Sequence, residues 1–350
     1  MAERSRGPRG RRGRREGGSF LGWLGYVLAV VVFVGFFAVN IAAYRQAGAV
    51  THLTADGVQT APLSTMEQGD ALRVLWQGAV IPKPGNATDP SSIGAKFETD
   101  RFGDYDGLQI EAWRIVLPGE SKGTVVMFPD YGKAKSSMLA EAKAFLGLGY
   151  EVYLVDHRGM GGSEGDFTSG GWYEAKEVVA AYKRIKERAT GKVLLYGQSM
   201  GAVAILRAIH VDALEPDGVI LEAPYESLLS GVGHRLDTVE VPGMPTNLLL
   251  VFWIGARLDF PGFDLDAGEY AASVSCPALV LLGGKDTRSS GADARAIQKR
   301  LAGHSSLFVF PAASAGSYVA ADGESWQKVV GEFLDGSGKA TGGAEPVAEP

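Results

Sequence analysis

The sequence predicts an α/β fold, in which a mostly parallel, doubly wound sheet carries helices on both faces behind a single N-terminal transmembrane helix. Two observations support this prediction. Over residues 98–335, short apolar runs alternate with helix-length segments, and this alternation is typical of a parallel sheet covered on both faces. Residues 20–44 form one uncharged apolar run, which is long enough to cross a bilayer with some tilt.

The segment before the apolar run sets the predicted orientation. Its first sixteen residues hold seven Arg and two Glu, so they contribute +5 to the net charge of −6 and leave −11 for the rest of the chain. Because arginine-rich flanks stay in the cytoplasm, we predict a cytoplasmic segment over residues 1–19, an anchor over residues 20–44 and an extracytoplasmic remainder. Two other interpretations stay open: a signal peptide cleaved near Ala42-Ala43 or residues 47–49, and an Arg-Gly patch that binds RNA or directs localisation.

The segments on either side of the predicted domain contain little that could form a core. Residues 45–97 are polar and contain Pro, Gly and Ser, so we predict a linker and domain entry. Residues 336–350 are mostly Gly, Ala, Pro and Glu, which is typical of a disordered tail.

The acidic charge disfavours nucleic acid as a partner, and the single cysteine, Cys276, cannot form an intramolecular disulfide. We expect no cofactor and no metal ion.

Seven apolar runs are predicted to be strands, because they are short and bounded by turn-forming residues. Residues 225–275 separate two of these runs and are predicted to form a small lid. Within it, residues 248–254 are apolar and either line a substrate pocket, form a buried helix or face a membrane. The seven runs are residues 108–117, 124–128, 151–155, 193–196, 219–221, 278–282 and 307–310.

The sequence Gly197-Gln198-Ser199-Met200-Gly201 follows a predicted strand and precedes an amphipathic helix. In this context a Gly-x-Ser-x-Gly motif forms a nucleophile elbow, a turn so tight that side chains at the glycine positions would clash. The Met200 amide then faces the site from a helix N-terminus, where it stabilises a developing oxyanion. The motif therefore predicts Ser199 as a nucleophile, and the other interpretation is a helix-capping serine between flexible glycines.

With this motif the chain resembles the α/β-hydrolase superfamily, and within it the serine-aminopeptidase-like (S33-type) branch, whose members include esterases, lipases and peptidases. The resemblance covers about residues 98–335. It implies that Ser199 attacks a small-molecule ester, lipid or peptide substrate and forms an acyl-serine intermediate. Besides the elbow, the segments that carry the resemblance are Asp106-Gly107, residues 156–163, Ala223-Pro224-Tyr225 and residues 277–286.

The same resemblance implies where the acid should lie. In this branch the loop after the strand at residues 278–282 carries the catalytic acid, and residues 283–286, Gly-Gly-Lys-Asp, fit that loop. Asp286 is therefore the predicted acid. Glu222 and Glu226, which follow an earlier strand, are less favoured substitutes.

Two departures from the family pattern bear on activity. The oxyanion loop usually reads His-Gly-x-Gly, whereas this chain has Pro-Asp-Tyr-Gly at residues 129–132. The Tyr131 amide can still donate to an oxyanion, but Asp130 brings a carboxylate close to a site that must stabilise negative charge. The base histidine should follow the strand at residues 307–310, and that stretch has none: Ala315 stands at its place, or Ser317 in another alignment.

The chain has five histidines, and two of them are candidates for a recruited base. His157 follows a strand on the active-site side, and His234 lies in the predicted lid, so either could reach Ser199 and take its proton. The other interpretation is that both are ordinary loop or surface histidines. The remaining three, which we place away from the site, are His52, His210 and His304.

Two classes of function therefore stay open. One is a membrane-anchored serine hydrolase that cleaves an ester or amide through an acyl group on Ser199. The other is a catalytically silent binding or regulatory protein that keeps the fold but lacks the base. A replacement of Ala315 by His is expected to create Ser199-dependent turnover if the pocket is otherwise intact. The sequence does not identify a protein partner.

Overall fold

The computed structural model describes residues 20–54, 63–78, 81–241 and 243–336, so the arginine-rich segment at residues 1–19 and most of the predicted tail, residues 337–350, lie outside the described residues. The chain divides into two units, residues 1–41 and 42–350. Helix α1 (Phe20–Thr51) begins in the first unit. There its side chains are uncharged and mostly exposed, and the helix is long and apolar enough to cross a membrane.

The second unit is built around a mixed sheet. Its described strands are β1 (Leu53–Thr54), β2 (Ile81–Pro82), β3 (Glu98–Gly103), β4 (Gln109–Ile115), β5 (Gly123–Phe128), β6 (Glu151–Val155), β7 (Lys192–Gln198), β8 (Gly218–Glu222), β9 (Ala278–Lys285) and β10 (Ser305–Ser314). Eight of them form one sheet in the order β10-β9-β8-β7-β5-β6-β4-β3, and β1 pairs with β2 alone. Strands β5 to β10 are mutually parallel, whereas β4 pairs antiparallel with both β6 and β3. The carboxyl ends of the parallel strands therefore meet at one edge, where sites form in open α/β sheets.

Helices follow most strands and cover both faces of the sheet. After α1, the described α-helices are α2 (Gln68–Gln77), α3 (Leu139–Gly147), α4 (Glu174–Lys186), α5 (Met200–Asp212), α6 (Leu228–Thr238), α7 (Thr246–Leu258), α8 (Ala267–Ala271), α9 (Gly291–Arg300), α10 (Tyr318–Ala321) and α11 (Gly323–Leu334). Three of them, α6, α7 and α8, lie within the predicted lid.

The core is split by the sheet into two layers. Alternate residues of each central strand point to opposite faces, as in β7, where Leu195 joins one cluster and Leu194 the other. The first cluster packs residues of α4, α5, α8 and α9, and the second packs residues of α3, α10 and α11. This is the doubly wound architecture that the alternation of apolar runs predicts.

The predicted strands are all present, and the differences from prediction have physical causes. Strand β3 was not predicted because it is an antiparallel edge strand in which only Phe102 is buried, so it shows no apolar run. Helix α1 continues beyond Tyr44 to Thr51. In the second unit its last turns pack into the domain, because Ala47 and, just after the helix, Leu53 belong to the first core cluster. Part of the stretch predicted as linker therefore contributes to the core.

Candidate active site

Ser199 lies at the sharp turn between β7 and α5, at the carboxyl edge of the sheet. Its backbone has φ 49° and ψ −108°, a conformation that is strained for any residue with a side chain. The turn is so tight that a Cβ on Gly197 would lie 2.5 Å from the Ala202 nitrogen, and one on Gly201 would collide with the Phe128 carbonyl. This is the geometry that the elbow motif requires. The Ser199 side chain has no hydrogen-bond partner among the described residues, and the residue is 4% exposed.

Asp286 follows β9 and is held by two side chains. Arg288 donates from Nε and Nη2 to its carboxylate, at 3.0 Å and 2.6 Å to Oδ2. The Tyr318 hydroxyl donates to the same oxygen at 2.6 Å. Burial alone would raise the pKa of Asp286, but the bonds and charge of Arg288, with the bond from Tyr318, hold that pKa below its usual range. The Asp286 carboxylate is therefore ionised, and it already accepts hydrogen bonds from Arg288 and Tyr318.

Arg288 connects the carboxyl ends of three strands. Besides Asp286 after β9, its guanidinium lies 3.6 Å from the Asp130 carboxylate after β5 and 3.6 Å from that of Glu222 at the end of β8. Burial would lower the pKa of Arg288, but these carboxylates raise it above its usual value. A guanidinium in this state cannot accept a proton, so Arg288 cannot act as a general base.

The loop predicted to carry the base lies beside this ion pair. Arg288 also donates to the Gly316 carbonyl at 3.3 Å, so the residue after Ala315 reaches the guanidinium. Ala315 itself is exposed. Ser317, the other candidate for the base position, uses its hydroxyl to cap α10 by accepting from the Ala320 amide. Arg288 therefore takes the hydrogen bonds of the acid that an imidazole at this loop would need.

The two amides predicted for an oxyanion hole differ in availability. The Met200 amide, at the first position of α5, has no hydrogen-bond acceptor among the described residues. The Tyr131 amide donates to the Asp130 carboxylate at 2.7 Å. An oxyanion would have to displace this carboxylate, so in the described conformation one donor is open and the other is occupied.

The structure places neither candidate histidine on Ser199 or Asp286. His157 is fully buried, stacks on Phe128 at 5.6 Å between ring centroids, and bonds through Nδ1 to Glu177 at 2.7 Å. His234 bonds through Nε2 to Asp293 at 2.7 Å, and this bond raises the pKa of His234 above its usual value.

Two further carboxyl groups lie close to the site, and sequence reasoning either missed or discounted them. Glu222 accepts from the Tyr196 hydroxyl at 2.6 Å and from the Gln198 amide at 3.0 Å. Burial, together with the charge of Glu141 on α3, raises the pKa of Glu222 to about 8. Burial likewise raises the pKa of Glu141. Glu222 is therefore expected to be mostly protonated at neutral pH. Neither belongs to a sequence motif, and the partners of Glu222 lie on a different strand, β7.

A cavity of about 340 Å³ lies next to the acid loop. Its walls include Asp286 after β9 and His234 and Asp237 on α6. Ser199 does not line it, so the cavity reaches the acid and not the nucleophile. Within the described ranges, no group of three or more His, Cys, Asp and Glu side chains is arranged to hold a metal ion.

Comparison with known proteins supports this fold. An esterase from Pyrococcus furiosus has a similar structure, with a TM-score of 0.61 at 21% identity over 73% of this chain and 96% of the esterase. The chain therefore has the α/β-hydrolase fold. Within this fold, residues 119–238 match the family described as serine aminopeptidase, S33.

Similar sequences occur in bacteria and eukaryotes. An uncharacterised protein of Mycobacterium tuberculosis is 28% identical over 245 residues, which is 68% of this chain and 76% of that protein. The lysophosphatidylserine lipase ABHD12 of Danio rerio is 29% identical over 162 residues, 41% of this chain and 38% of the lipase. An uncharacterised membrane protein of Saccharomyces cerevisiae is 26% identical over 140 residues, 40% of this chain and 49% of that protein.

Proposed function

We propose that this chain is a membrane-anchored α/β-hydrolase-fold protein that binds an ester- or lipid-type ligand at the carboxyl edge of its sheet without cleaving it through Ser199. The observation that carries this proposal is the position of Arg288. Its guanidinium makes the bonds to Asp286 that an activating histidine would otherwise make. Asp286, when it is held by Arg288 in this way, does not orient a histidine base.

Two physical consequences support the absence of turnover. A serine hydroxyl without a base stays neutral and is a weak nucleophile. The Asp130 carboxylate, bonded to the Tyr131 amide, opposes the negative charge that would develop on an attacked carbonyl oxygen. Among the described residues, no side chain forms a hydrogen bond with Ser199 that would compensate for the missing base or for the nearby carboxylate.

The ligand class is supported by the retained geometry and by the relatives. The open Met200 amide is a donor for a carbonyl or carboxylate oxygen. The cavity beside Asp286, at about 340 Å³, is at the lower end of the range for small-molecule sites. Two relatives bear the names of an esterase and a lysophosphatidylserine lipase, which favours an ester or a lipid over a peptide.

The second candidate is hydrolysis through an acyl-serine, and the elbow favours it. Ser199 keeps the strained backbone of a nucleophile. Such strain costs about 1–3 kcal/mol and has no structural purpose in a serine that only caps a helix. In this case a rearrangement must bring His157 or His234 to Ser199. Each would first have to leave its carboxylate partner, Glu177 or Asp293.

A fluorophosphonate probe together with a binding assay separates the two candidates. The full chain in detergent is compared with Ser199→Ala and with Ser275→Ala, an exposed serine outside the site, as control. We expect no Ser199-dependent labelling or hydrolysis of p-nitrophenyl acetate, and equal binding of a fluorescent lysolipid to all three proteins. Strong labelling that Ser199→Ala alone removes would establish the hydrolase, and its loss in His157→Ala or His234→Ala would identify the base.

A further inference from the structure

The last turns of α1 are surrounded by apolar side chains that no described residue covers. Two elements from distant parts of the chain contact residues 44–46. In α2, Trp76 lies against Arg45, whose guanidinium is 5.7 Å from the indole ring, and the Leu75 carbonyl accepts from Gln46. In α7, Trp253 packs on Tyr44 with ring centroids 5.2 Å apart.

Both elements present large apolar side chains to the outside. On α7, Phe252 packs edge-to-face against Trp253 with ring centroids 5.0 Å apart, and it is 52% exposed. On α2, Trp76 is 42% exposed and Leu75 is also exposed. Met244, just before α7, and Phe263, which shares a groove with Phe252, are exposed as well. We refer to these five side chains, Leu75, Trp76, Met244, Phe252 and Phe263, as the apolar collar.

The chain itself indicates what the collar meets. The apolar run of the anchor ends at Tyr44, so the residue that packs on α7 is the one at which the predicted span leaves the bilayer. The segment from Val241 to Ala256 contains no charged residue. The two nearby cations, Arg45 and Arg257, lie over Trp76 and Tyr44, and neither forms an ion pair with a described acidic side chain. Aromatic rings with unpaired cations are the composition found at membrane interfaces.

We infer that the apolar collar inserts into the interfacial layer of the lipid bilayer that the anchor crosses, so that the domain is seated on the membrane by α2 and α7 as well as tethered to it. This inference rests on the proposed membrane anchoring. It commits to a lipid surface as the occupant, because burial of the collar in lipid removes apolar area from water while the two arginines remain at the level of the phosphates.

The same seating brings the oxyanion loop to the interface. Val50 accepts a hydrogen bond from the Tyr131 hydroxyl, and Val50 follows Tyr44 by six residues of one helix. At 1.5 Å per residue this is about 9 Å along the helix axis, comparable with the thickness of one polar headgroup layer. An amphiphile could therefore reach the site from the bilayer without passing through bulk water.

Spin labels on the full chain test this inference in lipid vesicles. In a Cys276→Ser background, which removes the native thiol, single cysteines replace Phe252 or Trp76. Val211, 57% exposed near the C-terminal end of α5, provides the matched control. We expect the labels at 252 and 76 to collide more with oxygen and less with an aqueous nickel complex than the label at 211, which should behave as a water-exposed site.

Three outcomes would overturn the inference, and they differ from one another. If alkaline carbonate extracts the protein from the vesicles, the anchoring proposal fails as well. If the protein stays in the membrane but all three labels are equally accessible to nickel, the anchor stands and the collar lies in water. If the labels at 252 or 76 show spin–spin broadening that unlabelled protein dilutes away, a second copy of the chain covers the collar.

Discussion

The guanidinium of Arg288 lies beside carboxyl groups at three strand ends, those of Asp130, Glu222 and Asp286. Its removal without replacement would leave the buried Asp286 charge unpaired, and breaking a buried pair typically costs about 3–5 kcal/mol. Arg288 therefore contributes to the stability of the fold as well as to the electrostatics of the site. A variant that lacks Arg288 must therefore give Asp286 a new partner.

This leads to a revised expectation for the missing base. Ala315→His alone should leave turnover of p-nitrophenyl acetate at the level of Ser199→Ala, because Arg288 still holds Asp286. Ala315→His combined with Arg288→Ala should raise Ser199-dependent turnover, because Asp286 is then free to orient the imidazole. A triad histidine is worth on the order of 10⁶ in kcat, so recovery of even a small part is measurable.

Two controls accompany that experiment. Arg288→Ala alone should remain inactive, and adding Ser199→Ala to the double variant should abolish the gain, with near-UV circular dichroism checking that each variant is folded. Activity in Arg288→Ala alone would show that another group serves as base. No gain in a folded double variant would place the defect at Asp130 and the occupied Tyr131 amide.

Glu222 is expected to make stability depend on pH. Its pKa is about 8 in the folded chain, against an ordinary value of 4.5, so between these values the folded state holds a proton that the unfolded state has lost. The contribution of this group is present at low pH and is lost as pH rises through about 8, with a slope of up to about 1.4 kcal/mol per pH unit. Urea unfolding in detergent at several pH values between about 5 and 8 should show this decline in the free energy of unfolding. The Glu222→Gln variant should show a smaller decline. Equal slopes in both proteins would show that Glu222 is ionised in the fold.

Local pattern accounts for the residues that the sequence predicts at the site, and long-range contact accounts for those it misses. Ser199 is predictable because its glycines and flanking elements lie within a few positions of it. The resemblance to a family implies Asp286 as the acid. Arg288 belongs to no repeat or motif, and its role appears only when the sheet order brings Asp130 and Glu222 beside the loop after β9.

At the scale of elements, the same contrast separates the central strands from the N-terminal segment. The central strands are predictable because they are apolar on both faces. The sequence predicts a linker after Tyr44 because residues 45–97 are polar and contain Pro, Gly and Ser. Its contribution to the core depends on small side chains such as Ala47 and on one leucine, Leu53, whose partners lie far away in the sequence.

Leu53 offers a direct test of that contribution. It is buried in the first core cluster, and its amide donates to the Asp166 carbonyl at 2.7 Å. Leu53→Ala should lower the free energy of unfolding by about 2–5 kcal/mol, the usual cost of truncating a buried leucine. Val211→Ala, at an exposed position, should change it by less than about 0.5 kcal/mol. Equal midpoints for the two variants in urea would return residues 45–54 to the role of a linker.

At the scale of the whole molecule, the charge asymmetry about the anchor predicts the topology. Seven arginines precede the apolar run, and only Arg45 follows it closely, so the N-terminus should stay in the cytoplasm and the domain should lie outside it. In a Cys276→Ser background, a cysteine at Tyr105, which is exposed in the domain, should react with a membrane-impermeant maleimide in intact spheroplasts. A cysteine at Ser5 should react only after lysis. The reverse pattern would place the domain in the cytoplasm.

Under the proposed function, Arg288 also determines what happens to a ligand over time. In that proposal Arg288 occupies the acid that a reaction cycle would use, so a ligand that enters this edge of the sheet leaves chemically unchanged. Occupancy then follows the free ligand concentration in both directions, with half of the molecules filled at a concentration equal to Kd. Such a protein behaves as a reversible detector, which reports how much of its ligand is present and does not deplete it.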